Sequence, residues 1–143
     1  MENIGTCLVS GGAGFIGSNL VDRLLVDGFK VIAIDNLITG REENLAEAKK
    51  NPNFIFVHHD VIHGLPDLNM VDYVFHLASP ASVPDYQTYP EETALANSQG
   101  TRNLLQLAKQ MHARFLFTST SEIYGDPKEH PQKETYWGNV NPN

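Results

Sequence analysis

Short, continuously apolar runs alternate along the chain with stretches whose apolar residues recur at helical spacing. The runs predict five strands, at residues 6–9, 31–34, 54–57, 71–78 and 114–118. Gly, Pro, Asn or Asp residues flank each run, as they flank strands in general. Continuous hydrophobicity is typical of strands that are covered on both faces, so the pattern predicts a parallel sheet.

The stretches between these runs predict helices. After Gly14, the residues Ile16, Leu20 and Leu24 recur at helical spacing, and Gly28 is a plausible end of that helix. A short helix is predicted at residues 45–50, and the longest is predicted at residues 91–112. The apolar face of the longest one is expected to follow a 4-3-4-3 spacing, widened by three further residues: Ala94, Ser98, Thr101, Leu105 and Ala108, with Leu104, Leu107 and Met111.

This alternation of strands and helices predicts right-handed βαβ units and a doubly wound α/β sheet of the Rossmann type. We expect the spatial strand order 3-2-1-4-5, with a ligand lying across the strand ends where the order reverses. The predicted dinucleotide-binding domain covers residues 1–125. Residues 126–143 are expected to form a loop, because Pro127, Pro131 and Pro142 punctuate a polar stretch.

Composition narrows the class of protein. The 143 residues carry a formal net charge of −7, and the ten Lys and Arg residues form no basic run, which argues against nucleic acid as a partner. No apolar run is long enough to span a membrane, so no membrane partner is expected. The single cysteine, Cys7, lies in an apolar run and is expected to be buried. Without a disulfide framework, the expected location is cytoplasmic.

A glycine-rich segment joins the first predicted strand to the first predicted helix. Gly11 allows a tight turn, Gly14 allows the backbone to approach a diphosphate, and Gly17 allows the helix to pack closely. The diphosphate would then bind the N-terminus of the helix. Phe15 and Ile16, which open that helix, belong to the same set of candidate cofactor-binding residues. The competing interpretation is an accidental glycine-rich turn.

Asp35 ends the second predicted strand, where a carboxylate can accept hydrogen bonds from the ribose hydroxyls of a dinucleotide. The same charge would repel a 2′-phosphate, so the predicted cofactor is NAD rather than NADP. Arg41 is the nearest arginine that could counter this effect. The neighbouring candidates are Asn36, Thr39 and Gly40. Asp35 could instead cap a helix or be a solvated loop charge.

The Gly-x-x-Gly-x-x-Gly spacing resembles that of the extended short-chain dehydrogenase/reductase family, and further segments along essentially the whole chain share this likeness. The resemblance implies that Asp60 and Val61 lie against the adenine. It implies that Leu77, Ala78 and Ser79, which follow His76, line the nicotinamide and its ribose. Asn97 and Thr101 are weaker candidates for contact with the cofactor or a catalytic water.

Within that family, three segments (residues 77–82, 118–127 and 136–142) are most similar to those of enzymes that decarboxylate UDP-glucuronate to UDP-xylose. dTDP-glucose 4,6-dehydratases and nucleotide-sugar 4-epimerases are the competing activities. Dehydratases of the family carry Thr-Asp-Glu where this chain has Thr120, Ser121 and Glu122. A serine cannot replace the acid that protonates a departing hydroxyl, and a decarboxylase needs no such acid.

The resemblance implies oxidation at C4 of the sugar, loss of carbon dioxide from the keto sugar, and reduction by the same cofactor. Thr120 would hydrogen-bond the C4 oxygen, and Ser121 and Glu122 would lie near C5 and its carboxylate. Without the resemblance, Glu122 could equally cap a turn or pair with a surface lysine. The six histidines show no metal-ligand spacing, so no metal is predicted and structural roles are expected for them.

The family's catalytic base is a Tyr with a Lys four positions later on a helix. Tyr124 and Lys128 have this spacing, but Gly125 and Pro127 would break a helix, so we do not assign them that role. We therefore expect a truncated chain that is inactive alone, from a homodimeric parent whose substrate is a nucleotide sugar. A non-catalytic dinucleotide-binding module is the alternative from another functional class.

Overall fold

Five parallel strands form one sheet in the computed structural model, which describes residues 4–141. The spatial order is β3-β2-β1-β4-β5, and every neighbouring pair is parallel, which confirms the predicted doubly wound sheet and its order. The strands are β1 (Thr6–Ser10), β2 (Lys30–Asp35), β3 (Phe54–His58), β4 (Tyr73–His76) and β5 (Arg114–Phe117).

The connections between the strands carry four α-helices and several shorter turns in the part of the chain that the structure describes. The α-helices are α1 (Phe15–Val26), α2 (Val83–Thr88), α3 (Pro90–Leu95) and α4 (Thr101–Met111). A π-helical turn, Ala96–Gly100, joins α3 to α4, and the 3₁₀ turns are Glu42–Leu45, Ala48–Lys50, Val61–His63 and Ser121–Tyr124. None of the helices described is long and apolar enough to cross a membrane.

The hydrophobic core lies on both faces of the sheet, because alternate residues of a strand point to opposite sides. On one face, Cys7 and Val9 of β1 pack with Val21 and Leu24 of α1. On the other face, Leu8 packs in a cluster with Leu104 of α4. Burying a leucine side chain of this kind contributes roughly 1.5–3 kcal/mol, so the two clusters hold the helices against the sheet.

Two predicted elements differ from those in the structure. The predicted helix at residues 45–50 is a pair of 3₁₀ turns, too short a segment for a stable α-helix. The fourth strand is shorter than the predicted 71–78, because the chain leaves the sheet after His76. The sequence analysis missed α2, whose N-cap Ser82 accepts a hydrogen bond from the Asp85 amide at 3.3 Å.

The longest predicted helix is interrupted by the π turn, and this shifts its buried face. Leu104, Leu107 and Ala108 are buried as expected, but Leu105 is 48% exposed and Ser98 is also exposed. A π turn inserts an extra residue into the helical repeat. Because the 4-3-4-3 spacing was continued through that turn, it placed the exposed residues Ser98 and Leu105 on the buried face.

β5 is the exposed edge of the sheet. The side chains of Leu116 and Phe117 are each 48% exposed, so this strand, unlike β1, is not covered on both faces. Beyond it, residues 126–141 contain no helix or strand, apart from an isolated bridge between Gly125 and Asn139. The last two positions, which include Pro142, lie outside the described residues.

Candidate cofactor-binding site

A cleft opens at the carboxyl ends of β1, β2 and β4, where the strand order reverses. Its volume is about 600 Å³ with the open mouth included. The lining residues are Gly11, Gly14, Ile34, Asp35, Asn36, Ile38, Thr39, Gly40, His59, Asp60, Val61, Leu77, Ala78, Ser79, Pro80, Glu92 and Ala96. Most of the predicted cofactor-binding residues are therefore brought together by the fold.

The glycine-rich turn forms the floor of this cleft. Gly11 has φ of 73°, and its amide donates to the carbonyl oxygen of Ile34 at 2.8 Å. A Cβ on Gly17 would lie 2.0 Å from the Gly11 carbonyl oxygen, far inside van der Waals contact. Helix α1 thus begins directly against the turn, at a distance that only glycine permits.

The N-terminus of α1 offers backbone amides to a ligand. Gly14 is its N-cap, and no side chain in residues 4–141 caps this end of the helix. First-turn amides have no partner within a helix, and the helix dipole favours an anion there. Phe15 and Ile16 are 85% and 67% exposed. Neither side chain lines the cleft, so their contribution to a ligand would come from the backbone.

Asp35 is the buried carboxylate at the end of β2. It is 8% exposed, its Oδ2 accepts from the Ala13 amide at 2.9 Å, and its Oδ1 accepts from the Leu37 amide at 2.8 Å. A Cβ on Gly40 would lie 2.8 Å from Oδ1. A carboxylate has about four acceptor positions, so both oxygens can also accept from a ribose hydroxyl.

Asp60 follows the end of β3, and the residue after the neighbouring strand β2 helps to hold it in place. Its Oδ2 accepts from the side-chain amide of Asn36 at 2.8 Å, and its Oδ1 accepts from the Ile62 amide at 3.0 Å. Asp60 therefore caps the turn that begins at Val61, which is itself buried. The pair of strand ends forms a polar wall next to Asp35.

The opposite wall follows β4. The Leu77 amide donates to the carbonyl oxygen of Ser10 at 3.1 Å, which keeps the chain beside β1 as it enters the segment that contains Ala78. Farther along, the hydroxyl of Ser79 accepts from the side-chain amide of Asn97 at 2.9 Å. Asn97 does not line the cleft itself, but it contacts a residue that does.

The predicted catalytic residues lie apart from the cleft lining. All three are exposed and lie just after the carboxyl end of β5: Thr120, Ser121 and Glu122. Thr120 caps a 3₁₀ turn, because its hydroxyl accepts from the Glu122 amide at 3.3 Å. Their position is set by the end of β5, because the Thr118 hydroxyl donates to the carbonyl oxygen of His76 in the neighbouring strand β4 at 2.9 Å. Their catalytic roles stay a prediction.

The segment from Tyr124 to Lys128 is not helical. Gly125 has φ of 65°, and the Lys128 amide donates to the Tyr136 hydroxyl at 3.1 Å. In this geometry Tyr124 and Lys128 do not share one face of a helix.

The electrostatics of the cleft favour backbone recognition of a phosphate. Its charged side chains are Asp35, Asp60 and Glu92, and no Lys or Arg occurs among the lining residues that the structure describes. A diphosphate would therefore depend on the α1 amides rather than on a cation. Within residues 4–141, no three His, Cys, Asp or Glu side chains are grouped so that they could hold a metal ion.

The sequence analysis missed several lining residues. Ile34 and His59 stand next to predicted residues at strand ends, so their position carried a signal. Glu92 and Ala96 lie on α3 and in the π turn, and only the packing of these elements brings them to the cleft.

Comparison with known proteins agrees with this geometry. Residues 7–143 match the family described as the NAD dependent epimerase/dehydratase family. UDP-glucuronic acid decarboxylase 1 of Arabidopsis thaliana is 58% identical over 135 residues, which are 94% of this chain and 31% of that protein. The Danio rerio protein of the same name is 50% identical, over 94% of this chain and 32% of that protein. The chain thus spans about a third of these relatives' length.

Solved structures share the fold. A UDP-galactose 4-epimerase superposes with a TM-score of 0.81 at 34% identity, over 94% of this chain and 45% of the other. A UDP-glucose 4-epimerase from Bifidobacterium longum, in complex with NAD+ and UDP, gives a TM-score of 0.75 at 29% identity, over 91% of this chain and 41% of the other.

Proposed function

Because this chain belongs to the NAD-dependent epimerase/dehydratase family, we propose that it forms the cofactor-binding part of an enzyme that decarboxylates UDP-glucuronate to UDP-xylose. The chain covers only part of its relatives, so the activity is proposed for a protein of the relatives' length. The observation that supports the cofactor part most is that the buried carboxylate of Asp35 lies directly beside the uncapped N-terminus of α1, where its Oδ2 accepts from the Ala13 amide. The likeness to two UDP-glucuronic acid decarboxylases supports the reaction.

The residues present fit NAD. The α1 amides would hold the diphosphate, and the remaining lone pairs of Asp35 would accept from the adenosine ribose. Asp60 and Val61 would border the adenine, and the wall at Leu77–Ser79 would border the nicotinamide half. When bound, NAD accepts a hydride from the sugar and later returns it.

The residues proposed to act on the sugar follow β5. The Thr120 hydroxyl would donate to the C4 oxygen as that oxygen becomes a carbonyl. Glu122, which is exposed, would hold or deliver a proton near C5 after carbon dioxide has left. Ser121 stands where a 4,6-dehydratase would need an acid, so its hydroxyl favours decarboxylation over loss of a sugar hydroxyl. The names of the relatives from Arabidopsis thaliana and Danio rerio support the same choice.

Cofactor binding is tested by titrating the chain with NAD+ and NADP+ in a calorimeter. We expect NAD+ to bind at least about tenfold more tightly, because the Asp35 carboxylate repels a 2′-phosphate. Asp35→Asn should weaken NAD+ binding and reduce the preference for NAD+ over NADP+. The matched control is Asp22→Asn, which changes an exposed carboxylate on the outer face of α1. A preference of the unmodified chain for NADP+ would refute the assignment.

The reaction is tested in a chimera. In it, this chain replaces the 135 matching residues of UDP-glucuronic acid decarboxylase 1 from Arabidopsis thaliana. We expect release of carbon dioxide from UDP-glucuronate, and at least about a hundredfold loss of rate in Thr120→Val and Glu122→Gln. The matched control is Glu134→Gln, at an exposed loop position. A chimera that only epimerises UDP-sugars would favour the 4-epimerase alternative, and one that binds NAD+ without any turnover would favour a non-catalytic module.

A nucleotide sugar as the substrate is part of this proposal. The homodimeric parent and the cytoplasmic location are predictions from the sequence that the structure leaves untested.

A further inference from the structure

His76 closes a chain of hydrogen bonds between three elements. It is the last residue of β4 and is 2% exposed. Its Nδ1 lies 2.9 Å from the hydroxyl of Ser10 at the end of β1. Its Nε2 lies 2.9 Å from the hydroxyl of Thr101, the first residue of α4. A buried polar network of this kind is costly unless every member is satisfied.

The direction of this chain follows from counting hydrogens. The Thr101 hydroxyl donates to the carbonyl oxygen of Asn97 at 2.9 Å, and a hydroxyl has only one hydrogen to give. Thr101 must therefore accept from a protonated Nε2 of His76. The Nδ1 of the ring then carries a lone pair and accepts from Ser10. Burial lowers the pKa of His76 to about 4, so a neutral ring with this single tautomer is present near neutral pH.

The chain ends in the π turn, where the helical repeat is widened. The Asn97 carbonyl oxygen that Thr101 reaches belongs to this turn. The side-chain amide of the same Asn97 donates to the Ser79 hydroxyl at 2.9 Å and to the Thr93 carbonyl oxygen at 2.9 Å. Ser79 lies three residues after His76 and lines the cleft. The contacts therefore form a closed ring between the end of β4 and the π turn.

Packing alone does not account for a histidine at this position. The rings of Phe115 and Phe117 pack against the imidazole at steep angles, with ring centroids 6.3 Å and 5.5 Å away. A phenylalanine could fill a similar volume among these rings, but the Ser10 hydroxyl would lose its acceptor and the Thr101 hydroxyl would lose its donor. What histidine adds is the pair of oppositely directed hydrogen bonds.

We propose that His76 is a positioning residue: through Thr101 it holds the π turn so that Asn97 meets Ser79, and this shapes the cleft wall proposed to border the nicotinamide half of NAD. The inference rests on the proposed placement of the cofactor. His76 itself is not among the residues that line the cleft.

A pair of substitutions separates this role from simple packing. In His76→Gln, the side-chain amide nitrogen reaches the former Nε2 position and can still donate to Thr101. In His76→Asn, the amide is shorter and can serve only Ser10. Both variants lose the aromatic ring. We expect NAD+ affinity to stay within about threefold of the unmodified chain in His76→Gln and to fall about tenfold or more in His76→Asn.

Thr101→Val tests the link from the helix side and should also weaken NAD+ binding by about tenfold. Its matched control is Ser98→Ala, which removes a similar bond, from the Ser98 hydroxyl to the Ala94 carbonyl oxygen at 2.6 Å, without touching His76. We expect this control to bind NAD+ like the unmodified chain. Equal losses in His76→Gln and His76→Asn, or unchanged affinity in Thr101→Val, would overturn the positioning role.

NMR spectroscopy tests the same link without the cofactor. Long-range ¹H–¹⁵N correlations should show His76 neutral, with the proton on Nε2. The side-chain amide signal of Asn97 should shift in His76→Asn and Thr101→Val, and much less in His76→Gln. A proton on Nδ1 would overturn the inference, whatever the affinity for NAD+. So would an Asn97 side-chain signal that does not shift in His76→Asn. If Asn97 responds and the unmodified chain binds no NAD+, the proposed cofactor placement fails, and with it the role in shaping the cleft.

Discussion

Two regions of the molecule differ in how deeply they are buried. One is the glycine-rich turn with strands β1 and β2, and the other is β5 with the segment that follows it. All five residues of β1 are buried, as are the last five of β2. Three of the four residues of β5 are exposed, and farther along Trp137 is 99% exposed. Both regions lie at the carboxyl ends of the parallel strands, and both carry candidate functional residues.

The difference shows how firmly each region is held. In the first, Asp35 accepts hydrogen bonds from two backbone amides, and Gly11 and Gly17 are in close contact, so the site is preorganised by the chain itself. In the second, Thr120 and Glu122 are joined by one local hydrogen bond on the surface. We infer that substitutions at the close contacts of the first region, such as Gly17, disturb the fold, whereas those at Thr120 and Glu122 disturb function alone.

The largest effect is expected for Gly17→Ala. The new methyl group would lie 2.0 Å from the Gly11 carbonyl oxygen, so α1 or the turn must move, at a cost of roughly 3 kcal/mol, the upper end of the usual range for overpacking. Urea unfolding measures the loss. Gly14→Ala is the matched control, because its methyl group would meet the same oxygen at 3.3 Å. We expect the control to lose less than about 1 kcal/mol of stability but to bind NAD+ more weakly. Equal stability losses would contradict the close approach of α1.

Two leucines of the sheet compare the regions directly. Leu8 of β1 is 0% exposed and Leu116 of β5 is 48% exposed. We expect Leu8→Ala to lower the free energy of unfolding by roughly 2–5 kcal/mol, because it leaves a cavity in the core. Leu116→Ala should cost less than about 1 kcal/mol, since half of that side chain already faces solvent. Similar losses in urea denaturation would show that β5 is covered in solution.

A smaller effect should appear when stability is measured against pH. The pKa of His76 falls from 6.5 to about 4 in the folded chain because the ring is desolvated. Between these values the unfolded chain binds a proton that the folded chain does not, so stability decreases as pH falls from 6.5 towards 4. The full contribution is present above this window and amounts to at most roughly 3 kcal/mol. His76→Gln should remove this part of the slope, and an unchanged slope would argue against a buried neutral ring.

The smallest effect is expected at Cys7, which should not react with a thiol reagent in the folded chain. Its side chain is 0% exposed, and burial, with a lesser effect of the Asp72 carboxylate, raises the pKa of the thiol to about 12. Only the thiolate reacts, so labelling should require unfolding. Mass spectrometry with and without urea measures this, and rapid labelling of the native chain would show that β1 opens easily.

The sequence analysis predicted the fold and most of the cleft because both rest on local signals. The apolar runs, the glycine spacing and an acidic residue at a strand end each mark a position before any packing is known. The π turn was not predicted: the sequence analysis placed residues 96–100 in one continuous helix, and it placed Ser98 on the buried face although that residue is exposed. The pair of 3₁₀ turns was predicted as a helix at residues 45–50, and α2 was missed, because brief elements depend on contacts from outside them.

By itself the sequence determined which segments form the strands, the turn that only glycine can form, and the carboxylate beside it, because hydrophobic periodicity and backbone sterics act over a few neighbouring residues. Only the tertiary structure decided that Glu92 and Ala96 reach the cleft and that His76 faces Ser10 and Thr101. These contacts join residues that are far apart along the chain, and their geometry depends on how helices settle on the sheet, which no local pattern encodes.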